Sequence, residues 1–208
     1  MYLCLVMLSE EQHHVLQITE DFVKDFMKDY DDSHDFAHVI RVKNLATLIA
    51  ESENLSVDEI FQVQLGALTH DIHDHKYTDD LIAQETMLQD FFHDKLSKDI
   101  MEKVIKIACN VSLSKETALE HNNIYIHCKK LDCVRDADRI DSLGAIGITR
   151  YFTFGIQINK SNTCDIMKNI EKRTNVLIQH IKTSLGREIA NKKYLIIKEF
   201  WTDYKNSV

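Results

Sequence analysis

Imidazole and carboxylate side chains recur in pairs along the chain, at His34-Asp35, His70-Asp71, His73-Asp74 and His93-Asp94. Such pairs can ligate a divalent cation, or they can hold and move a proton. The setting of each pair decides which chemistry it could do. His70-Asp71 ends the run FQVQLGALTHD, which is so densely apolar that an ionisable pair at its end is costly unless coordinated or hydrogen-bonded. His38 lies in HDFAHVIRV and Asp138 in RDADRID, where three carboxylates at i, i+2 and i+5 flank an arginine. His38, His70, Asp71 and Asp138 together offer a mixed nitrogen and oxygen donor set suited to borderline or hard cations such as Mn, Fe, Co, Ni or Zn. Four such ligands on a six-coordinate ion leave room for water and a substrate oxygen.

The elements that must carry these donors read as helices. Among 208 residues Pro is absent and Gly numbers five, against typical frequencies of about 5% and 7%. A hydroxyl three residues ahead of Gln or Glu marks helix starts at Ser9 with Gln12 and at Ser56 with Glu59. Val15, Ile18, Phe22 and Phe26 make one apolar stripe, and Val39, Val42, Leu45, Ala46 and Ile49 the next. Ile60, Phe61, Val63, Leu65, Ala67 and Leu68 crowd their segment so fully that it belongs in the middle of the bundle. Further helices are expected near 79–93, 98–110, 125–138, 141–153, 163–185 and 187–205, with loops or lids at 111–124 and 155–162. No strand alternation competes. The expected fold is all-α, a single helical domain over 1–208 with its motifs between about 30 and 155 and its C-terminal helices at about 163–205.

A formal net charge of -8 gives no global attraction to polyanions, so stable nucleic-acid binding is not expected. Residues 10–35 carry nine acids and two lysines, whereas 166–208 carry nine Lys/Arg and four acids. These are either solvated or mutually packed helical faces, or C-terminal cations that help hold an anionic substrate. Cys4, Cys109, Cys128, Cys133 and Cys164 form no C-x-x-C pair and read as free thiols of a reducing, cytoplasmic compartment. The apolar start MYLCLVML lacks the basic leader of a signal peptide and reads as an arm docked on the core. No apolar run approaches the roughly 20 residues of a membrane span.

The order H-x-x-R-V, then H-D, then D-x-D-R-x-D resembles the HD-domain metal-dependent phosphohydrolases. More narrowly, HD-x-x-H-x-x-R-V, HDI-x-D-x-K-Y, SLSKE, RDADRIDSLGAIGITRYFTFG and TSLGREIANKKY are similar to the small bacterial-type HD hydrolases that include nucleoside triphosphate pyrophosphohydrolases. The resemblance spans roughly residues 10–205, and the chain is shorter than that subgroup between Gly155 and Arg173. It implies a helical bundle of the HD type. It also implies that His38, His70, Asp71 and Asp138 are metal ligands. Asp74, three and four residues beyond the pair, shares its face if the helix continues, and is expected to serve in acid/base chemistry rather than coordination.

The similarity implies that His34 and Asp35 orient a ligand or touch substrate; the other reading is a helix cap by Asp35 beside an exposed His34. His73 and His75 could extend the site to a second metal, although the H-H-E-type motif of dinuclear HD enzymes is missing, and His93-Asp94 reads as surface. Lys76, Arg41, Lys115 and Arg139 are candidates for neutralising phosphate oxygens, or else surface charges and ion-pair partners, with Arg41 and Arg139 able to brace site aspartates. The implied cofactor is a divalent metal ion, Mn first, with Fe, Co, Ni, Zn or Mg as alternatives. The implied reaction cleaves a (deoxy)nucleoside triphosphate to monophosphate and pyrophosphate. A 5′-nucleotidase, a cyclic-nucleotide phosphodiesterase and a non-catalytic nucleotide- or metal-binding regulator are the other readings. The partner expected is a small nucleotide, with no membrane and with a homodimer among the options.

Overall fold

The structure, a computed structural model, describes residues 7–28, 36–72 and 81–207. Among them are ten helices and no strand: α1 (Glu10–Phe26), α2 (Phe36–Ser52), α3 (Val57–Thr69), α4 (Leu81–Phe92), α5 (Lys98–Ala108), α6 (Leu113–His121), α7 (Lys129–Asp141), α8 (Gly144–Gln157), α9 (Thr163–Gln179) and α10 (Ser184–Ser207). Both expected capping boxes form. The Ser9 and Ser56 hydroxyls accept the backbone N–H of Gln12 and Glu59, and the Gln12 and Glu59 side chains accept back from the cap residue's N–H. Each reciprocal pair satisfies two donors that a helix start would otherwise leave bare.

Helix α3 lies in the middle, packed against α1, α2, α5 and α7. Ile60, Val63 and Ala67 face one hydrophobic cluster, with Val42, Ala46 and Ile49 of α2 and Leu131, Val134 and Ile140 of α7. Phe61, Leu65 and Leu68 face a second, with Val15 and Val23 of α1, Leu88 and Phe92 of α4 and Val104 of α5. Burying each such side chain is worth at most about 1.5–3 kcal/mol, so a helix committed on both sides is held hard.

Two expected loops are corrected. Segment 111–124 contains α6, and α8 runs on through Gln157 into the segment 155–162. Helix α6 escaped notice because what it buries is Glu116, not an apolar stripe, so hydrophobic periodicity carries no trace of it. Helix α1 turns slightly from the expected stripe: Val15, Leu16, Thr19 and Val23 are deepest, and Phe22 and Phe26 pack at the edge. No helix among the described residues is long and apolar enough to cross a membrane.

Candidate metal centre

Three helices deliver the donors. His38 lies in the first turn of α2, Asp138 in the last turn of α7, and His70 and Asp71 just past the end of α3. Helix α3 stops at Thr69, and Ile72 N–H turns back to the Thr69 carbonyl at 3.3 Å. From α4, Gln84 Nε2 donates to the His70 carbonyl at 3.0 Å and reaches the Thr69 carbonyl at 3.4 Å, which ties down the orphan acceptors of the helix end. Residues 70–72 form a turn, with His70 still in helical backbone conformation at φ -66° and ψ -30°. Asp74 itself, with His34, Asp35, His73, His75, Lys76 and Cys4, lies outside the described residues.

His38, His70 and Asp138 converge, and Asp71 lies against both imidazoles, with a different oxygen toward each. His38 Nε2 lies 3.3 Å from Asp71 Oδ2 and 3.4 Å from Asp138 Oδ1. His70 Nε2 lies 3.3 Å from Asp71 Oδ1 and 3.7 Å from Asp138 Oδ1. Ligand atoms around one cation, each about 2.0–2.2 Å from it, cannot be more than about 4.4 Å apart, so these separations suit a shared ion. Both imidazoles are turned for it. His70 Nδ1 donates to the Ala67 carbonyl at 2.8 Å, and His38 Nδ1 donates to Asp141 Oδ2 at 2.7 Å, leaving both Nε2 atoms toward the carboxylates. His70 Nε2 and Asp71 Oδ2 are buried without a hydrogen-bond partner, a costly state that a bound cation would relieve. On this test the residues fit a divalent metal. The side chains of His38 and His70 are 1% and 2% exposed, but that of Asp138 is 30% exposed, so the cluster opens to solvent past Asp138.

The electrostatics agree. Burial alone would lower the His38 pKa, but the neighbouring carboxylates of Asp138, Asp141 and Asp71 outweigh that and push it up to about 10. Burial opposes a raised His70 as well, and Asp71 and Asp138 prevail. Burial would raise Asp71 and Asp138, yet the two imidazoles hold both carboxyls below the usual carboxylate range. Protons are shared here where a metal could replace them.

Two residues escaped the sequence reading. Asp141 accepts from His38 and is gripped by Arg41, whose Nε and Nη2 donate at 2.8 and 3.0 Å, and by Arg150 Nη1 at 2.9 Å. Spacing could have found Asp141, since it follows Asp138 by three residues on one helix face. Arg150 comes back to it from α8 after Gly144, whose φ of +69° is a left-handed turn that glycine adopts without a Cβ penalty.

Of the expected phosphate-binding cations, Arg41 stands beside the cluster, braced on Asp141, with its side chain 36% exposed. Lys115 and Arg139 are placed elsewhere. Lys115 Nζ donates to the Cys109 carbonyl at 2.6 Å, at the end of α5. Arg139 is buried, with Nη2 on Glu116 and Nη1 donating to the His180 carbonyl at 2.6 Å. Helical neighbours point about 100° apart, so the residue after Asp138 faces another part of the core. Asp136 serves the fold too, accepting the N–H groups of Lys182 and Thr183 at 3.0 and 2.7 Å and the Thr183 hydroxyl at 2.7 Å just before α10. The free thiols Cys109, Cys128, Cys133 and Cys164 take no part in the cluster, and His93 is exposed as expected.

No protein-family model matches the chain. Over 120 residues it is 35% identical to the uncharacterized Bacillus subtilis protein YpgQ, a match covering 56% of this chain and 55% of that one. Over 120 residues it is 27% identical to the uncharacterized protein L803 of Acanthamoeba polyphaga mimivirus, covering 54% of this chain and 49% of that one. The matched stretch thus spans about half the length of these curated relatives. Likeness of structure extends further. The crystal structure of YpgQ in complex with ADP superposes with a TM-score of 0.69 at 23% identity, over 93% of this chain and 97% of that one. An HD-superfamily hydrolase from Bacillus thuringiensis gives 0.72 at 22% identity, over 94% of this chain and 97% of that one. The chain therefore has the all-α fold of the HD-superfamily hydrolases.

Proposed function

We propose that the protein is a metal-dependent phosphohydrolase of small nucleotides, cleaving a (deoxy)nucleoside triphosphate to monophosphate and pyrophosphate. The observation that carries the reading is the convergence of His38, His70 and Asp138 from three helix ends, with Asp71 beside both imidazoles and with His70 Nε2 and Asp71 Oδ2 buried and unpartnered. The ADP bound in the YpgQ crystal supports a nucleotide as substrate class.

In this reading the four residues hold one divalent cation, Mn first, which lowers the pKa of water toward ~7 and polarises a phosphoryl oxygen. The chain's own residues do the rest. Asp138, the donor with most exposure, marks the side from which a triphosphate arrives. Arg41, partly exposed beside the cluster, supplies a guanidinium for phosphate oxygens while bracing Asp141. Asp74 is assigned the proton transfers, worth ~10²–10⁴-fold, His34 a substrate contact, and Lys76 the β,γ-phosphates.

The test incubates Mn-loaded protein with a nucleotide panel in ¹⁸O-water. Label in the nucleoside monophosphate, with pyrophosphate as the other product, supports attack at the α-phosphorus. Label only in orthophosphate released beside free nucleoside would sink the pyrophosphohydrolase assignment and establish a 5′-nucleotidase. Retention of metal and nucleotide with no turnover of any panel member would replace both by a binding regulator.

A further inference from the structure

We propose that Asp141 is the positioning residue that makes His38 a metal donor, by outcompeting Arg150 for one edge of the imidazole; the inference rests on the metal-centre reading above. His38 Nδ1 lies 2.7 Å from Asp141 Oδ2 and 3.1 Å from Arg150 Nη1. The two neighbours make opposite demands. A carboxylate only accepts, so it requires a hydrogen on Nδ1; a guanidinium only donates, so it requires a lone pair there. A neutral imidazole carries one hydrogen, and the neighbour that prevails sets the tautomer. With Asp141 in place, Nδ1 keeps the hydrogen. Once the imidazole is neutral, Nε2, facing Asp71 and Asp138 at 3.3 and 3.4 Å, is the nitrogen left with the lone pair that a cation needs. With Asp141 gone, Arg150 can donate into Nδ1, and the hydrogen passes to Nε2, where it blocks coordination.

The geometry shows why Asp141 prevails. Its carboxylate reaches His38 from α7 and is pinned from two other helices, by the Arg41 fork of α2 and by Arg150 of α8. Arg150 Nη1 is drawn to Oδ2 at 2.9 Å, so its nearness to Nδ1 is donor against donor rather than a bond. The same arginine is an ally while the carboxylate is present and a rival once it is removed. A residue that merely filled space would show no such reversal.

The test is a double-mutant cycle read by Zn²⁺ affinity, measured in competition with a chromophoric chelator. Asp141→Ala is expected to weaken Zn²⁺ about 10–100-fold, the range for losing the partner behind a histidine ligand. Asp141→Ala with Arg150→Met should bind Zn²⁺ more tightly than Asp141→Ala alone, because the rival donor is gone. Asp141→Asn, whose amide oxygen can still accept from Nδ1, should fall between wild type and Asp141→Ala. Zn²⁺ is diamagnetic, so long-range ¹H–¹⁵N correlation of the loaded wild type should find the His38 hydrogen on Nδ1. Wild-type affinity in Asp141→Ala, or a double variant weaker than the single one, overturns the proposal. Should Asp141→Ala fail to fold, the same comparison is made between Asp141→Asn and its combination with Arg150→Met. Failure of the wild type to bind Zn²⁺ falls on the metal-centre reading and takes the inference with it. Wild-type binding that Asp138→Ala abolishes while the cycle fails rejects the role of Asp141 alone.

Discussion

Helix α7 serves two buried ionic clusters, and they are satisfied in different ways. Around Glu116, one carboxylate 3% exposed meets Arg135 Nη1 at 3.1 Å, Lys182 Nζ at 2.5 Å and Arg139 Nη2. Two further guanidinium donors go to main-chain acceptors, Arg135 Nε to the Asn110 carbonyl at 2.9 Å and Arg139 Nη1 to that of His180. That cluster nearly closes on itself, with Arg139 Nε and a single oxygen of Asp132 left over. Around His38, two imidazole Nε2 atoms and the oxygens of two carboxylates face one another across 3.3 to 3.7 Å, a set that a cation could share in place of protons. Burial and charge do not separate a structural network from a working site. The direction of the lone pairs does.

The largest expected effect comes from breaking the second cluster. Asp71→Ala should reduce bound metal to background in elemental analysis and remove hydrolysis with it, while a Glu116 variant that stays folded keeps its metal. Unchanged stoichiometry in Asp71→Ala would reject the ligand assignment. Next in size, Glu116→Ala strands Arg135 and Arg139 in the core without their counter-charge. A loss of about 3–5 kcal/mol is expected in urea unfolding, as for other buried pairs that lose one partner.

The same carboxylate predicts an acid limit. Burial would raise the Glu116 pKa, but Lys182, Arg139 and Arg135 hold it below the usual carboxylate range. A folded value below the unfolded one means that the stabilisation is complete above the ordinary Glu pKa of about 4.3 and is lost as pH falls through the folded value. Urea midpoints of the wild type should therefore drop below about pH 4.3 more steeply than those of Glu116→Gln. Parallel curves would show that other carboxylates set the limit. The smallest effect belongs to Ser56→Ala, remote from both clusters. Loss of that cap should cost about 1 kcal/mol in thermal or urea unfolding and leave Zn²⁺ affinity unchanged.

Most of the bundle was legible because its helices declare themselves by caps and apolar spacing. Ser56 and Glu59 announce α3, and its crowded apolar residues announce its central place. Of the residues expected as ligands, His38, His70 and Asp138 come within reach of one another, and Asp71 lies beside both imidazoles. What stayed hidden is ionic or a matter of rotation about an axis. Helix α6 is anchored by Glu116 through partners 19, 23 and 66 residues away, which no local window contains. Arg139 looks in sequence like a neighbour of the site, yet its position on α7 sends it to α6 and to the junction before α10. Asp141 was read only as the third carboxylate around Arg139 and Arg150 only as a letter of a longer motif, because their partnership with His38 arises once α2, α7 and α8 meet.

Helix α3 contributes to both hydrophobic clusters, Ile60, Val63 and Ala67 to one and Phe61, Leu65 and Leu68 to the other. Neither cluster can come apart without stripping a side of this helix. Its amides should therefore exchange with deuterium only through openings close to global unfolding, while those of α6, whose buried residue is Glu116, report a cheaper local event. The backbone that hands over His70 and Asp71 is thus continuous, on its N-terminal side, with the segment expected to exchange most slowly.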